Sequence, residues 1–270
     1  MNRFWLALSY LDGKGVGPAA AAKLVGAFGT PEAVFRQKSA ALREAGASEK
    51  AAAAITEFRD WKPIDDAEKS LSARGAAVVP RGDAAYPAAL AQVDHPPAVL
   101  YVVGSLRDED NLAVSVVGTR KPTDYGLRSA RTLARQAAEC GVCVVSGLAR
   151  GIDTAAHEGA LEAPNGRTVA VLGSGVDYLY PSENAGLARK IAERGAVLSE
   201  FFPGTPPKPE NFPRRNRIIA GLGAGVLVVE AGDKSGTMIT VDAATRQESR
   251  FRRPRPDRLA GLGRGSPAAP

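Results

Sequence analysis

The strongest constraint in this 270-residue sequence is an alternation that begins near residue 113. Short apolar runs occupy 113–117, 142–145, 168–172, 196–198 and 226–229. Helix-like stretches at 125–139, 154–161 and 184–193 separate them, and another begins at Thr240. Strands that are apolar at nearly every position need cover on both faces, and the intervening helices supply it. The pattern predicts an α/β fold: an extended Rossmann-like, doubly wound and mainly parallel sheet. Further strands at 76–80 and 99–103 would extend the sheet, and ligands belong at the C-terminal ends of the parallel strands.

Those ends share a chemistry. The first carries Gly118-Thr119-Arg120-Lys121, and the second carries Ser146-Gly147-Leu148-Ala149-Arg150-Gly151-Ile152-Asp153. The third carries Gly173-Ser174-Gly175, and the last runs through Glu230 to Ser235-Gly236-Thr237. Glycines let backbone N–H groups approach a phosphate closely, and helix N-termini favour anions. One such loop is ordinary packing; four on one edge predict a phosphate-lined groove. Between strands four and five lies a stretch read as a basic loop, from Pro206 through Lys208 to Phe212-Pro213-Arg214-Arg215-Asn216-Arg217. Arginine forks pair with phosphate oxygens, and Phe212 offers a face to a base. Alone, this stretch also fits a solvated turn with Phe212 as an apolar plug.

Several other functions fit poorly. Gly118-Thr119-Arg120-Lys121-Pro122 lacks the third glycine of a dinucleotide fingerprint, and no Walker sequence occurs. No cofactor or metal is expected. His157 reads as support for the loop before it, and Asp153 as the N-cap of its helix, so no catalytic residue is assigned. Cys140 and Cys143 read as reduced thiols of a cytoplasmic protein. No apolar run reaches the length of a membrane span, and the N-terminus lacks the pattern of a signal peptide. The net charge is +6, but residues 251–270 hold five arginines against one aspartate. Most of the excess therefore lies in the tail, and total charge says little about a partner.

Residues 1–65 read as a small helical domain. Gly15 and Gly17 supply a tight turn before Pro18, which suits the first position of a helix. Two helices joined by Gly-Val-Gly are either a helix-hairpin-helix (SAM-like) module whose turn amides contact a DNA phosphate, or an ordinary packed hairpin. The residues leave both open. Residues 66–110 connect this part to residues 111–247, the Rossmann-like unit, and 248–270 read as a disordered tail.

Taken together, Gly118-Thr119-Arg120, the 146–153 loop with His157, Tyr180-Pro181, Leu198-Ser199-Glu200, the run from Phe212 to Leu222 and Ser235-Gly236-Thr237 resemble the DNA-processing protein A (DprA/Smf) family. The resemblance implies a homodimeric single-stranded DNA-binding protein that protects incoming DNA in natural transformation and loads the RecA recombinase without turnover. It implies that Arg120 holds a phosphate. Gly118, Ser146, Gly147, Arg150, Gly151, Ser235, Gly236 and Thr237 would line the pocket. Phe212 would contact a base or sugar, with Lys208, Arg214, Arg215 and Arg217 nearby, and Asn216 would orient the segment. Gly15 and Gly17 would be an accessory DNA contact.

After Gln247 the sequence departs from that family, which continues into a further strand. A one-base frame shift across codons 247–254 can encode Arg-Lys-Ala-Val-Phe-Ala-Val, which would restore it. A truncated or frameshifted C-terminus is therefore expected, and with it a loss of dimer and RecA surfaces. The enzymatic alternative is a LOG-type nucleoside-monophosphate phosphoribohydrolase, which needs a glutamate soon after the Gly-Thr turn. Here no carboxylate follows until Asp242. A non-functional remnant is the third reading.

Overall fold

The computed structural model describes residues 3–231. The expected helix from Thr240, the Ser235-Gly236-Thr237 turn and the 248–270 tail lie outside the described residues.

The N-terminal part is a cluster of six helices: α1 (Arg3–Tyr10), α2 (Pro18–Phe28), α3 (Pro31–Phe35), α4 (Ser39–Glu44), α5 (Glu49–Thr56) and α6 (Lys62–Ser72). Local chemistry sets their starts. Pro18 and Pro31 open α2 and α3, where a missing N–H costs nothing. Thr30 and Ser48 accept from the N–H groups of Ala33 and Ala51, both at 3.1 Å. In α6, Ile64, Ala67 and Leu71 recur at helical spacing and are buried. That helix packs on α1 and runs straight through the boundary expected at residue 65, so the helical unit extends to Ser72. Phe4, Phe35, Phe58 and Trp61 form its aromatic centre, with Phe58 and Trp61 4.9 Å apart edge to face.

The remainder is β1 (Ala77–Pro80), α7 (Ala88–Ala91), β2 (Val99–Gly104), β3 (Ala113–Val117), α8 (Asp124–Glu139), β4 (Cys143–Ser146), α9 (Ile152–Glu162), β5 (Thr168–Val171), α10 (Ala185–Arg194), β6 (Ala196–Ser199), α11 (Asn211–Leu222) and β7 (Val226–Val228). The strands form one sheet in the order β1-β2-β6-β5-β4-β3-β7. From β6 to β7 all pairings are parallel, with Val114 opposite Val144 and Val116 opposite Leu227. β2 joins β6 and β1 antiparallel, which extends the sheet beyond its parallel part.

Alternation along the strands divides the core. Val116 and Val144 face the small residues of α8 and α9, whereas Val117, Val145, Val169 and Val171 face Ile218, Ile219 and Leu222 of α11. The α8–α9 contact is close because Ala130, Ala134 and Ala138 meet Ala155, Ala156 and Ala160. A Cβ at Gly159 would overlap the Arg131 carbonyl. The helical unit docks through Tyr10, whose ring lies 5.2 Å from that of Phe202, beside Tyr101 of β2, 6.4 Å from the same ring.

The stretch from Phe212 to Arg217, read as a loop, forms the first turns of α11. Pro213 is its third residue, where a backbone N–H has no helical partner to lose.

Candidate nucleic-acid interface

The C-terminal edge of the parallel strands is built from loops that lock into one another. After β3, Gly118 lies against Ile152, and a Cβ there would come within 2.5 Å of its side chain. After β4, Gly151 has φ +81°, and a Cβ would stand 2.5 Å from the Thr119 carbonyl. Between them Leu148, fully buried, adopts φ +57°, a conformation β-carbon-bearing residues rarely take. Two side chains hold this turn. Asp153 Oδ2 accepts from the N–H groups of Gly147 at 3.1 Å and Ala149 at 3.4 Å. Asn184 Nδ2 donates to the Leu148 carbonyl at 2.9 Å. Asp153 is thus not the N-cap of α9, a position taken by Gly151; it ties the preceding loop.

The first turns of α11 lie across this edge and present two faces. Phe212 and Arg215, three residues apart, point into the loops. Phe212 sits over Gly173, where a Cβ would be 2.8 Å from its ring. Arg215, 3% exposed, donates through Nη1 to the carbonyls of Gly147 at 2.7 Å and Val171, and through Nε to Asn216 Oδ1 at 3.2 Å. Burial pulls its pKa down to about 10. Asn216 thus accepts from Arg215. Arg215 is an internal strut, not a side chain open to a ligand.

Arg214 and Arg217, also three apart, turn to the other side. Arg214 reaches Asp12 at 2.6 Å and Glu200 at 3.2 Å, and Arg217 pairs with Glu200. Burial raises the pKa of Glu200 against the pull of both guanidiniums. Asp12, Glu200 and Arg214 line a cleft of about 660 Å³ between the helical unit and the sheet, bordered also by Asp66, Asp177 and Glu210. The cleft is acidic, and Lys208 is an exposed cation at its rim.

On the opposite side of α11 an outward surface remains. The Arg120 guanidinium lies 5.1 Å from the Phe212 ring centroid, and Tyr180 lies 5.9 Å from the same ring, tilted by 50°. Arg120 is exposed, and among the described residues no carboxylate pairs with it. Arg150, also exposed, pairs with Glu183. The cluster thus brings together Gly118, Arg120, Gly147, Arg150, Gly151 and Phe212. Ser146 is at the same edge but fully buried, its hydroxyl donating to the Val116 carbonyl at 2.6 Å. Gly15 and Gly17 lie apart from it. Gly15, at φ +106°, packs beside Lys50, and the hairpin docks on the sheet through Asp12 and Arg214.

His157 is fully buried, with Nδ1 2.7 Å from Thr168 Oγ1. That hydroxyl donates to the Val144 carbonyl, so Nδ1–H donates to it, and the ring is neutral. Burial lowers its pKa to about 3. The residues that sequence reasoning left without a site role are Tyr180, Glu183, Glu200 and Glu230. Glu230 accepts from the Thr123 N–H at 3.1 Å and its hydroxyl at 2.9 Å, which places a carboxylate of the chain itself at the start of α8. An acid directly after an apolar strand was the available signal.

These features define a Rossmann-like α/β protein whose strand-end loops carry a cation and an aromatic pair outward. Comparison with known proteins narrows the class. The model of the family described as DNA recombination-mediator protein A matches residues 77–252. The chain belongs to that family. It is 40% identical over 247 residues to protein Smf of Synechocystis, covering 89% of this chain and 61% of the relative. It is 38% identical over 200 residues to DNA processing protein DprA of Bacillus subtilis, covering 73% and 67%. It spans 46% of protein Smf of Escherichia coli, at 43% identity and with 63% of this chain matched. The chain thus spans between about half and two thirds of these relatives. Its fold matches the crystal structure of DprA from Streptococcus pneumoniae with a TM-score of 0.73 and 31% identity, over 92% of this chain and 84% of that one. A structure of DNA processing protein A from Helicobacter pylori, described as showing a unique single-stranded DNA binding mode, matches with a TM-score of 0.58 and 33% identity, over 64% and 77%.

Proposed function

We propose that this chain binds single-stranded DNA across the strand-end edge, and that it serves DNA processing in natural transformation and recombination. The observation that carries the reading is the surface of Arg120, Phe212 and Tyr180. Arg120 meets a phosphate, while the Phe212 and Tyr180 rings offer faces to unstacked bases. A duplex keeps its bases stacked inward and cannot use such faces. The acidic cleft beyond α11 bounds the path, because Asp12, Asp66, Asp177 and Glu210 repel a polyanion there. The strand therefore runs past Arg120 and Arg150 and not through the cleft. Contacts of this kind carry little base information, so binding is insensitive to sequence.

The acid and base candidates beneath the edge are committed to structure, which supports binding without turnover: Asp153 ties a loop and His157 is buried and neutral. On the family resemblance we further propose a cytoplasmic location, and RecA loading and a homodimer to the extent that the departure after Gln247 spares their surfaces. No described helix is long and apolar enough to cross a membrane. Ser235, Gly236 and Thr237, outside the described residues, are proposed as further DNA contacts, and Lys208 would meet the strand where it leaves the edge.

Fluorescence anisotropy with labelled oligo-dT against a duplex of equal length tests the reading. Salt-sensitive binding with preference for the single strand is expected, with Arg120→Ala weakening it about tenfold or more. A folded chain that binds both alike, or neither, overturns it.

A further inference from the structure

Arg150 and Glu183 face each other at the rim of the same surface. Arg150 leaves the locked 147–151 loop, and Glu183 stands in the 3-10 turn Ser182–Asn184. Both side chains are about half exposed, at 55% and 51%. The turn cannot drift from the loop, since Asn184 Nδ2 donates to the Leu148 carbonyl and to Thr154 Oγ1, each at 2.9 Å. Tyr180, two residues before Ser182, sits against Phe212, so the pair stands beside the aromatic surface. The Arg150 pKa is raised by Glu183 first and by Tyr180 after it, and Glu183 is held below the usual carboxylate range by Arg150.

We infer that Glu183 is an internal phosphate mimic that competes with single-stranded DNA for Arg150 and so limits affinity at the site. This rests on the DNA-binding reading above. Glu183 holds the Nε edge of the Arg150 guanidinium, so a phosphate either takes that edge from the carboxylate or binds the Nη groups against its repulsion. Arg120 imposes no such competition. The two arginines therefore contribute unequally although both are exposed on the same edge. A binder that must later release its strand gains from a cation that is only partly available, because the carboxylate re-forms its pair as the phosphate leaves.

The experiment is a salt series of oligo-dT anisotropy on the full chain. Glu183→Gln keeps the side chain's size and removes its charge. Expected are a threefold to tenfold tighter complex at low salt and a salt slope steeper by about 0.7, the value for one further phosphate neutralised on a single strand. Glu193→Gln removes the same charge from the last turn of α10, at the other edge of the sheet, and reports what net charge alone does. In the Arg150→Ala, Glu183→Gln double variant the gain should vanish. If Glu183→Gln matches Glu193→Gln in affinity and slope, or the gain survives loss of Arg150, the competition does not exist. If the unaltered chain binds no oligo-dT while folded, the DNA-binding reading itself falls.

Discussion

The two faces of the first turns of α11 use the same kind of residue for different ends. Toward the cleft, Arg214 and Arg217 are paired with Glu200, and Arg214 also reaches Asp12 and so joins the helical unit to the sheet. Toward the loops, Arg215 is consumed by two backbone carbonyls and braces the turn that carries Arg150. Three arginines in four residues look like a DNA-binding cluster, yet each is engaged within the chain: Arg215 is buried on backbone carbonyls, and Arg214 and Arg217 are ion-paired. The cation left facing solvent beside Phe212 is Arg120, contributed by a different loop. A run of arginines shows where charge is concentrated in sequence; the partners of each guanidinium decide whether any is left for a ligand.

The largest test of this contrast is Arg215→Ala. It strips two carbonyls and the buried Asp153 of their cation, and should cost about 3–5 kcal/mol, roughly 10 °C in Tm. A thermal scan within 2 °C of the unaltered chain would show that Arg215 is not a strut. Next comes pH, which asks whether a buried cation is tolerated without such acceptors. His157 has a folded pKa near 3, against 6.5 when unfolded. The unfolded chain therefore takes up a proton in that window that the folded chain refuses. Stability falls as pH drops below 6.5, by up to about 1.4 kcal/mol per unit, and His157→Gln should flatten that slope in urea titrations. Smaller again is Gly173→Ala, whose methyl pushes Phe212 out of its recess. Overpacking costs about 1–3 kcal/mol, and oligo-dT affinity should fall with it. The smallest effect belongs to Arg131→Ala, which removes a half-exposed pair with Glu162 far from the edge; at most about 1 kcal/mol and unaltered DNA binding are expected.

The strands of the parallel sheet were legible because they are apolar on both faces. Ala113–Val117 appears in the structure as read, and the other parallel strands differ by a residue or two at their ends. The strand-end loops followed from them, including Gly118, Arg120 and the 146–151 turn. Two things stayed hidden. Pro213 suggested a loop, because a proline tolerated in the first turn of a helix looks locally like one that prevents a helix. Side-chain partners were hidden for a different reason: Asp12 and Arg214, or Arg150 and Glu183, lie far apart in sequence and meet only through tertiary packing. Composition cannot tell a free arginine from a spent one. The α6 boundary was misplaced because Lys62–Ser72 is polar on most positions, and only Ile64, Ala67 and Leu71 mark its buried face.

Gly147 has a consequence for how this fold can vary. A methyl group there would stand 2.6 Å from the Arg215 guanidinium, so the missing side chain of one position is the space filled by the other. Each single change has its own cost: enlarging 147 displaces the guanidinium of the strut, and shortening 215 leaves a hole with two carbonyls and a carboxylate around it. The two positions, 68 residues apart in the chain, share one volume, so a larger residue at 147 is expected to be best tolerated together with a shorter one at 215.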